Sequence, residues 1–466
     1  MPSFDAKALA AWTGGRWSSF PDAAPRGFSV DSRRLAPGQA FVALRTGKRD
    51  GHDFLGEARR AGAPAAVVSR EVPGAGLPQL VVGDPLAALQ AVAREHRRAF
   101  PGTVVGITGS AGKTSTKDLL SVLLGGEEGG VLSTEGNLNN HIGVPLTLCR
   151  LEPARHRYAV VEAGISAPGE MGVLAGMIEP DIVLVTLVAP AHLDHLGGLE
   201  GVAREKAMLA GAMRAGGTCI FPSSCAGFAA FRALPAAACV QVEPVAELPA
   251  GAAPGRVPFT VSHSGLETSI TLGLENGPQA FTLRRVTGGM AQNAAIALCA
   301  AQRLGVGVPE LRERLPSWLP VALRGEWRNS HGRRLYLDCY NANPASMADA
   351  LEAFRAVAPR GEPRLFVIGC MEELGEDAPR YHLELGRSLG LGPGDQLVAV
   401  GALAGAVRDG ALESGAGAGQ ILVADKVGPL ADRLAAFRGS VFVKGSRRHE
   451  LERAFAGPEY AESAHA

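Results

Sequence analysis

The stretch Val104-Val-Gly-Ile-Thr-Gly-Ser-Ala-Gly-Lys113-Thr114-Ser-Thr-Lys117 limits what this chain can fold into more than any other segment. A β-branched run turns through glycines into a helix start, which predicts a strand, a tight loop and a helix in immediate succession. Successive backbone N–H groups in such a turn, followed by the positive end of a helix, form a cradle for phosphate oxygens. Lys113 can neutralise β- and γ-phosphates, and the Thr114 hydroxyl can hold Mg²⁺, so ATP is the expected guest. The usual pattern Gly-x-x-x-x-Gly-Lys-[Ser/Thr] would place glycine where Ile107 stands, and here the glycines fall at Gly106 and Gly109 instead. Leu119, Leu120, Val122 and Leu123 continue with helical apolar spacing, which supplies the context the cradle needs.

A chain of 466 residues suggests roughly three domains of about 150 residues each. Its 46 basic and 46 acidic residues cancel, so no net field steers it toward nucleic acid or an anionic membrane. No run of about 20 apolar residues could span a bilayer, and the start Met-Pro-Ser-Phe-Asp lacks the order of a secretion signal. A cytoplasmic location is expected, with the chain acting as a monomer. The seven cysteines are scattered with no Cys-x-x-Cys pair, which argues for small buried hydrophobes rather than a disulfide framework or a zinc site.

Short strands are expected at 41–44, 65–68 and 79–82, with a helix over 85–100 and a boundary near residue 101. From Val104 the pattern is alternating α/β, with strands at 158–162, 182–187 and 218–221 and helices near 113–124 and 199–214. Residues 235–287 read as an antiparallel excursion, 290–304 as a helix, and Pro309–Pro320 as a linker. Strand-like runs at 335–338, 365–369, 396–401, 421–423 and 441–443 then predict a second parallel sheet whose carboxyl edge would present ligand groups.

Several clusters lie where such edges fall. Glu162 closes a buried strand about fifty residues after the phosphate loop, in position to reach Mg²⁺. His192, Asp194 and His195 follow the next strand without zinc-like spacing, so an oxygen-preferring Mg²⁺ suits the region better. Lys206 reads from its helix as an ordinary snorkelling lysine. Asn137, Asn139 and Asn140 concentrate amides that either recognise sugars and peptides or form turns. Ser32-Arg33 and Asp50-Gly51-His52 are polar loops beside strands, where Arg33 could pair with phosphate or the loops could simply turn. Asp338, Tyr340, Asn341 and Asn343 pack a carboxylate, an aromatic ring and two amides into a strand end. Asn293 and Arg324 taken alone read as a helix residue and a linker charge.

Taken in order, these segments resemble the Mur ligase family, over almost the whole chain and most specifically its dipeptide-adding branch. The family's ATP loop has the form Thr-Gly-x-x-Gly-Lys-Thr seen at Thr108–Thr114, which accounts for the glycine spacing. Gly136-Asn-Leu-Asn-Asn-His-Ile-Gly-Val-Pro145, Tyr340–Asn343, Met371–Glu376 and Val443–Arg447 carry the rest of the likeness. The resemblance implies an α/β, three-domain architecture: residues 1–100 binding the UDP-sugar, 101–320 forming a central P-loop ATPase sheet, and 321–466 forming a Rossmann-like domain. It also implies an ATP-dependent, ADP-forming ligase that joins D-alanyl-D-alanine to UDP-N-acetylmuramoyl-tripeptide through an acyl phosphate.

Carried over by motif, Thr108, Gly109, Ser110, Ala111, Gly112, Lys113, Thr114 and Ser115 would wrap the phosphates. Asn293, Arg324, Asp338, Tyr340 and Asn341 would surround the nucleotide. Thr114, Glu162, His192 and Lys206 would serve the metal, with Lys206 N6-carboxylated, which overturns its bland reading. Lys113, Lys206, His192 and Arg324 would act in catalysis. Ser32, Arg33, Asp50, Gly51 and His52 would hold the UDP-sugar, and Asn137, Asn139 and Asn140 the peptide or dipeptide. The chain departs from the family's common residues at Ser166 and Ala167, where Asn-His is usual, and at Cys370, where Asp is usual, so substrate choice could shift. A tripeptide-forming relative would carry an Asp-Asn-Pro-Arg motif absent here, and a folylpolyglutamate synthetase would need no UDP loop. A non-ligating P-loop switch leaves the amide loop and the N-terminal region unexplained.

Overall fold

The computed structural model describes residues 2–191, 193–251, 253–330, 333–359 and 361–455. It is an α/β chain of three sheets, each built from a successive part of the sequence. The first sheet has the order β1-β5-β4-β3-β2, formed by β1 (Arg16–Trp17), β2 (Phe28–Ser29), β3 (Ala40–Val42), β4 (Ala66–Val68) and β5 (Gln79–Val81). β2 to β5 run parallel and β1 pairs antiparallel with β5. The Pro85–Ala99 helix follows, started by Asp84, whose side chain accepts from Leu86 and Ala87 N–H, and by proline in its first turn.

The second sheet comprises β6 (Thr103–Thr108), β7 (Val131–Ser133), β8 (Tyr158–Glu162), β9 (Ile182–Val185), β10 (Thr218–Pro222), β11 (Cys239–Pro244), β12 (Arg256–Ser264), β13 (Glu267–Leu274) and β14 (Gly277–Arg284). Its order is β14-β13-β12-β11-β10-β9-β6-β8-β7. The buried Val, Ile and Leu runs of β6, β8 and β9 fit strands covered on both faces by helices. The antiparallel excursion expected over 235–287 holds only for β12 to β14, since β11 pairs parallel with both β10 and β12 and so extends the central sheet.

The expected linker at Pro309–Pro320 is instead a packed element. Val308–Arg314 is helical and runs into a 3-10 turn at Leu315–Ser317. Leu311, Leu315 and Trp318 follow one another at helical spacing and are all buried in the cluster beneath the second sheet. Pro309 and Pro316 occupy first-turn positions, where the missing N–H costs nothing.

The third sheet has the order β15-β16-β20-β17-β18-β19: β15 (Glu326–Ser330), β16 (Arg333–Asp338), β17 (Arg364–Gly369), β18 (Gln396–Val400), β19 (Ile421–Ala424) and β20 (Gly439–Lys444). All are parallel except β15, an antiparallel edge strand that sequence reading missed. Packing is continuous across the boundary expected near residue 101, because one apolar cluster runs from Phe4 through Val92 to Val104 and Val183. The buried Arg97 guanidinium reinforces that junction, donating to the Ile178 and Glu179 carbonyls and to Asp181. Among the described residues no helix is long and apolar enough to cross a membrane.

Candidate active site

Three neighbouring strands, β8, β6 and β9, end side by side on the second sheet, at the edge where open parallel sheets place their ligands. β6 runs into the glycine loop, β8 ends on Glu162, and β9 runs into Thr186 and Leu187. The loop is fastened to the segment after β9: Ser110 N donates to Leu187 O at 2.8 Å, Ser110 Oγ to Ala189 O at 2.8 Å, and Thr186 Oγ1 to Ala111 O at 2.5 Å. Gly112, at φ 78°, begins the Lys113–Leu123 helix. A Cβ added there would come within 2.2 Å of Asn293 Nδ2, so only glycine lets the loop lie against that amide.

Lys113 Nζ turns back on the loop and donates to Gly109 O at 2.8 Å. The Glu162 carboxylate is buried and divided between two donors, Thr114 Oγ1 at 2.9 Å and Asn139 Nδ2 at 2.7 Å. The expected neighbourhood of phosphate loop, strand-end carboxylate and amide loop is therefore present.

The third sheet contributes the opposite wall from the carboxyl ends of its adjacent strands β16 and β20. Asp338 and Lys444 are register partners, joined at 2.6 Å, and Lys444 Nζ also donates to Asn341 O at 3.2 Å. The Arg324 guanidinium lies over the Tyr340 ring, 3.9 Å from its centroid. Between the walls is a cavity of about 440 Å³ lined by residues 110–115, Asn139, Glu162, Asn293, Arg324, Asp338, Tyr340 and Asn341. Trp318, Trp327 and Tyr336 add aromatic surface to the same cavity.

Electrostatics distinguish this cavity from an ordinary cleft. Burial pushes the Lys113 ammonium below its usual pKa; Glu162 opposes the shift and the nearby Arg324 cation adds to it. Lys206, buried on the Leu199–Gly211 helix, is pushed well down by burial and by Lys113. Glu205 beside it is already engaged, accepting from Gly169 and Met171 N–H. Lys113 thus links the two other cations: Arg324 acts on it within the cavity, and it acts in turn on Lys206, which is not among the lining residues and is offset by Glu205. Asp349, in the same lining, is raised by burial and pulled back by hydrogen bonds from Thr287 and Gly289.

The remaining sequence candidates separate into groups. Thr108 is buried behind the loop, and Gly109 supplies the carbonyl that holds Lys113. His192 lies outside the described residues. Asn140 caps a turn, accepting from Ile142 and Gly143 N–H, and Asn137 is exposed, so only Asn139 of the amide loop reaches the cavity. Ser32, Arg33, Asp50, Gly51 and His52 sit apart, on loops leaving the carboxyl ends of the adjacent parallel strands β2 and β3.

Sequence reading missed Thr186, Asp349 and Lys444 as site residues. Lys444 had a signal, since it stands in the Val443–Arg447 segment already singled out. Thr186 and Asp349 had none, because their contacts span 75 and 60 residues.

Three family models match the chain in order: "Mur ligase family, catalytic domain" over residues 26–97, "Mur ligase middle domain" over 107–301, and "Mur ligase, glutamate ligase domain" over 323–447. The UDP-N-acetylmuramoyl-tripeptide--D-alanyl-D-alanine ligase of Escherichia coli (strain K12) is 31% identical over 431 residues, covering 91% of this chain and 91% of its own. The chain belongs to the Mur ligase family. A crystal structure of MurF from Acinetobacter baumannii superimposes with TM-score 0.84 at 27% identity, covering 97% of this chain and 98% of its own. MurF ligase from Thermotoga maritima, solved in complex with ADP, gives 0.76 at 26% identity, covering 92% and 96%.

Against this Mur ligase frame the departures have structural readings. Ser166 N and Ala167 N both donate to Glu170 Oε2, so the backbone there is held by a local cap. Cys370 is buried and its sulfur accepts from Leu403 N at 3.3 Å, taking the acceptor role a carboxylate could fill at that helix start. None of these three residues lines the cavity.

Proposed function

We propose that the chain catalyses the ATP-dependent joining of D-alanyl-D-alanine to UDP-N-acetylmuramoyl-tripeptide, releasing ADP and phosphate. The observation that carries this reading is the cavity's surplus of cations: Lys113, Arg285, Arg324 and Lys444 line it against Glu162, Asp338 and Asp349, and Asp338 is already taken up by Lys444. A triphosphate restores that balance, and the aromatic surface nearby suits a planar base. ADP bound to the Thermotoga maritima relative supports the same occupant.

The glycine loop is read as a P-loop with a shifted first glycine, and the third sheet, parallel with one antiparallel edge, as Rossmann-like. We take the domains as 1–100, 101–320 and 321–466, a division supported by each sheet's drawing its strands from one of these ranges. Thr114 and Glu162 present the hard oxygen donors that Mg²⁺ prefers, so this set fits the ion, with His192 completing it in our reading. Bound there, Mg²⁺ supplies charge neutralisation for the phosphates.

Lys206 does not suit a cation as an ammonium. Its depressed pKa favours the neutral amine, which can add to carbon dioxide and lose a proton to become an N-carboxylate. That modified side chain would carry anionic oxygens toward the metal.

A carboxylate resists attack by an amine until one of its oxygens becomes a leaving group. The tripeptide's terminal carboxylate attacks the γ-phosphorus, the bond to ADP breaks, and an acyl phosphate forms. Lys113 from the loop and Arg324 from the opposite wall stabilise the negative charge in transit. The dipeptide amine then attacks the acyl carbon, inorganic phosphate departs, and the amine's surplus proton is released. Closure of the two walls over the bound substrates would keep water from the acyl phosphate. Ser32, Arg33 and the Asp50–His52 loop hold the UDP-sugar, their shared edge of the first sheet supporting a single binding surface. Of the amide loop Asn139 lines the cavity, and with Asn137 and Asn140 flanking it this loop would take the muramoyl peptide or the incoming dipeptide.

Incubating the protein with ATP, UDP-muramoyl-tripeptide and D-alanyl-D-alanine tests the reading by product mass. Pentapeptide formed in step with ADP is expected, and ADP released without pentapeptide would reject ligation.

A further inference from the structure

The Pro344–Val357 helix carries two polar groups that the chemistry above does not use, and both reach from the third sheet's side of the cavity to the second's. Its N-cap, Asn343, is buried. Oδ1 accepts from Ser346 N at 2.9 Å, and the Ser346 hydroxyl accepts from Asn343 N at 3.1 Å, closing a capping box. Asn343 Nδ2 leaves the helix altogether and donates to the carbonyl of Ser110, inside the phosphate loop, at 3.2 Å. Further along the helix, Asp349 Oδ1 accepts from Gly289 N at 2.8 Å. Gly289 lies in the first turn of the Gly288–Arg303 helix, which carries Asn293 against Gly112 of the same loop.

Capping alone does not require asparagine. An N-cap needs an acceptor, which serine or aspartate supplies as well. The amide's extra capacity is its donor, and here that donor is aimed at a backbone oxygen of the loop that wraps the phosphates. The carbonyl belongs to a loop whose geometry decides where its N–H groups point, so a partner on that carbonyl bears on phosphate binding.

We propose that Asn343 is a positioning residue that couples docking of the third-sheet unit to the geometry of the phosphate loop, with Asp349 as a second pin on the same helix. A loop shaped by nucleotide presents the Ser110 carbonyl to Asn343, and a docked helix holds that carbonyl in place. Each event therefore favours the other by the same factor. This coupling rests on ATP being the cavity's occupant.

The test compares Asn343→Ser and Asn343→Asp with the wild type in two measurements. Calorimetry gives the Kd for ATP without other substrates, and hydrogen exchange gives the protection that ATP confers on the Gly289 amide, a group neither variant touches. Both variants keep a capping acceptor and lose the donor; aspartate also keeps the volume, which preserves the test should the serine variant fold poorly. The expected result is a roughly five- to tenfold weaker Kd for ATP and reduced nucleotide-dependent protection at Gly289, with the wild-type melting temperature nearly retained. Variants that match the wild type in both Kd and Gly289 protection would overturn the coupling. A wild type that binds no ATP would overturn the reading of the cavity itself, and the coupling with it, so the two failures are distinguishable.

Discussion

The loops of the first sheet and the loops around the cavity draw on the same residue types, yet their charges are answered differently. In the first sheet each side chain finds its partner nearby. Arg33 forks onto Asp31 at 2.7 and 2.9 Å, Asp50 accepts from His52 and Arg70, and Ser32 donates to Glu57. The His52 ring is a bolt, with Nδ1 on Asp50 and Nε2 accepting from Ser69 N. Around the cavity, Lys113 and Arg324 oppose each other, Lys206 beyond the lining is pressed by Lys113, and Glu162 is already shared between Thr114 and Asn139. Loops whose pairs close locally offer a shape, while a site whose charge stays unbalanced demands a ligand of opposite sign. The first kind suits recognition of a sugar nucleotide, and the second suits chemistry on a triphosphate.

The sharpest way to break this contrast is Lys113→Ala. If the surplus cation stabilises charge as it moves, kcat for ADP release falls by about 10²- to 10³-fold, the usual loss when one preorganised donor is removed. Turnover at the wild-type level in a continuous ADP assay would show that the imbalance has no part in the reaction.

Lys206→Met tests the buried amine beside Lys113 through stability as well as rate. Activity should fall about a hundredfold and cease to respond to bicarbonate. The stability effect has the opposite direction. A lysine whose folded pKa lies below its unfolded value binds fewer protons when folded, so without carbon dioxide stability rises with pH between the folded value and about 10.4. Replacing Lys206 with an apolar chain removes that slope and raises the melting temperature at neutral pH. A variant with an unchanged pH slope in thermal denaturation would contradict the burial argument.

The contrast also explains what could be read from the sequence. β6, β8 and β9 were legible because their buried apolar runs are local signals, and the phosphate loop because its glycines, Lys113 and Thr114 are contiguous. β15 escaped because Glu-Trp-Arg-Asn-Ser is an edge strand with one large apolar residue and no alternation to betray it. The stretch after Pro309 was misread because prolines signal a linker, whereas the apolar spacing of Leu311, Leu315 and Trp318 signals a packed turn of helix. Asn343 and Asp349 could not be assigned in advance, since their partners at Ser110 and Gly289 come from the second sheet's part of the chain. Charge balance in a cavity is likewise a property of the assembled fold.

On the first-sheet side, Gly51→Ala should act through shape. A Cβ there would come within 2.7 Å of Leu44 O and 2.8 Å of the Ala43 backbone, neither of which can swing aside. The loop must shift, at a cost of about 1–3 kcal/mol in urea unfolding, as overpacking generally costs. The KM for the UDP substrate should rise while the Kd for ATP stays put, because the cavity's walls belong to the other two sheets. Weakened ATP binding in this variant would blur the division between the two regions.

The smallest effect is expected from Arg33→Ala, and it separates recognition from architecture most cleanly. The Arg33 side chain is largely exposed and its pair with Asp31 spans one turn, so losing it should leave the melting temperature within about a degree of the wild type. If Arg33 exchanges Asp31 for a phosphate of the sugar nucleotide, the variant shows a several-fold higher KM for that substrate at unchanged kcat, the pattern of lost uniform binding. Asp31→Asn should move the other way, since it frees the guanidinium and lowers KM. Steady-state kinetics on the two variants decide the matter: equal KM values in both would make the Asp31–Arg33 pair a brace for the Ser32–Arg34 turn, like the bond between Asp50 and His52.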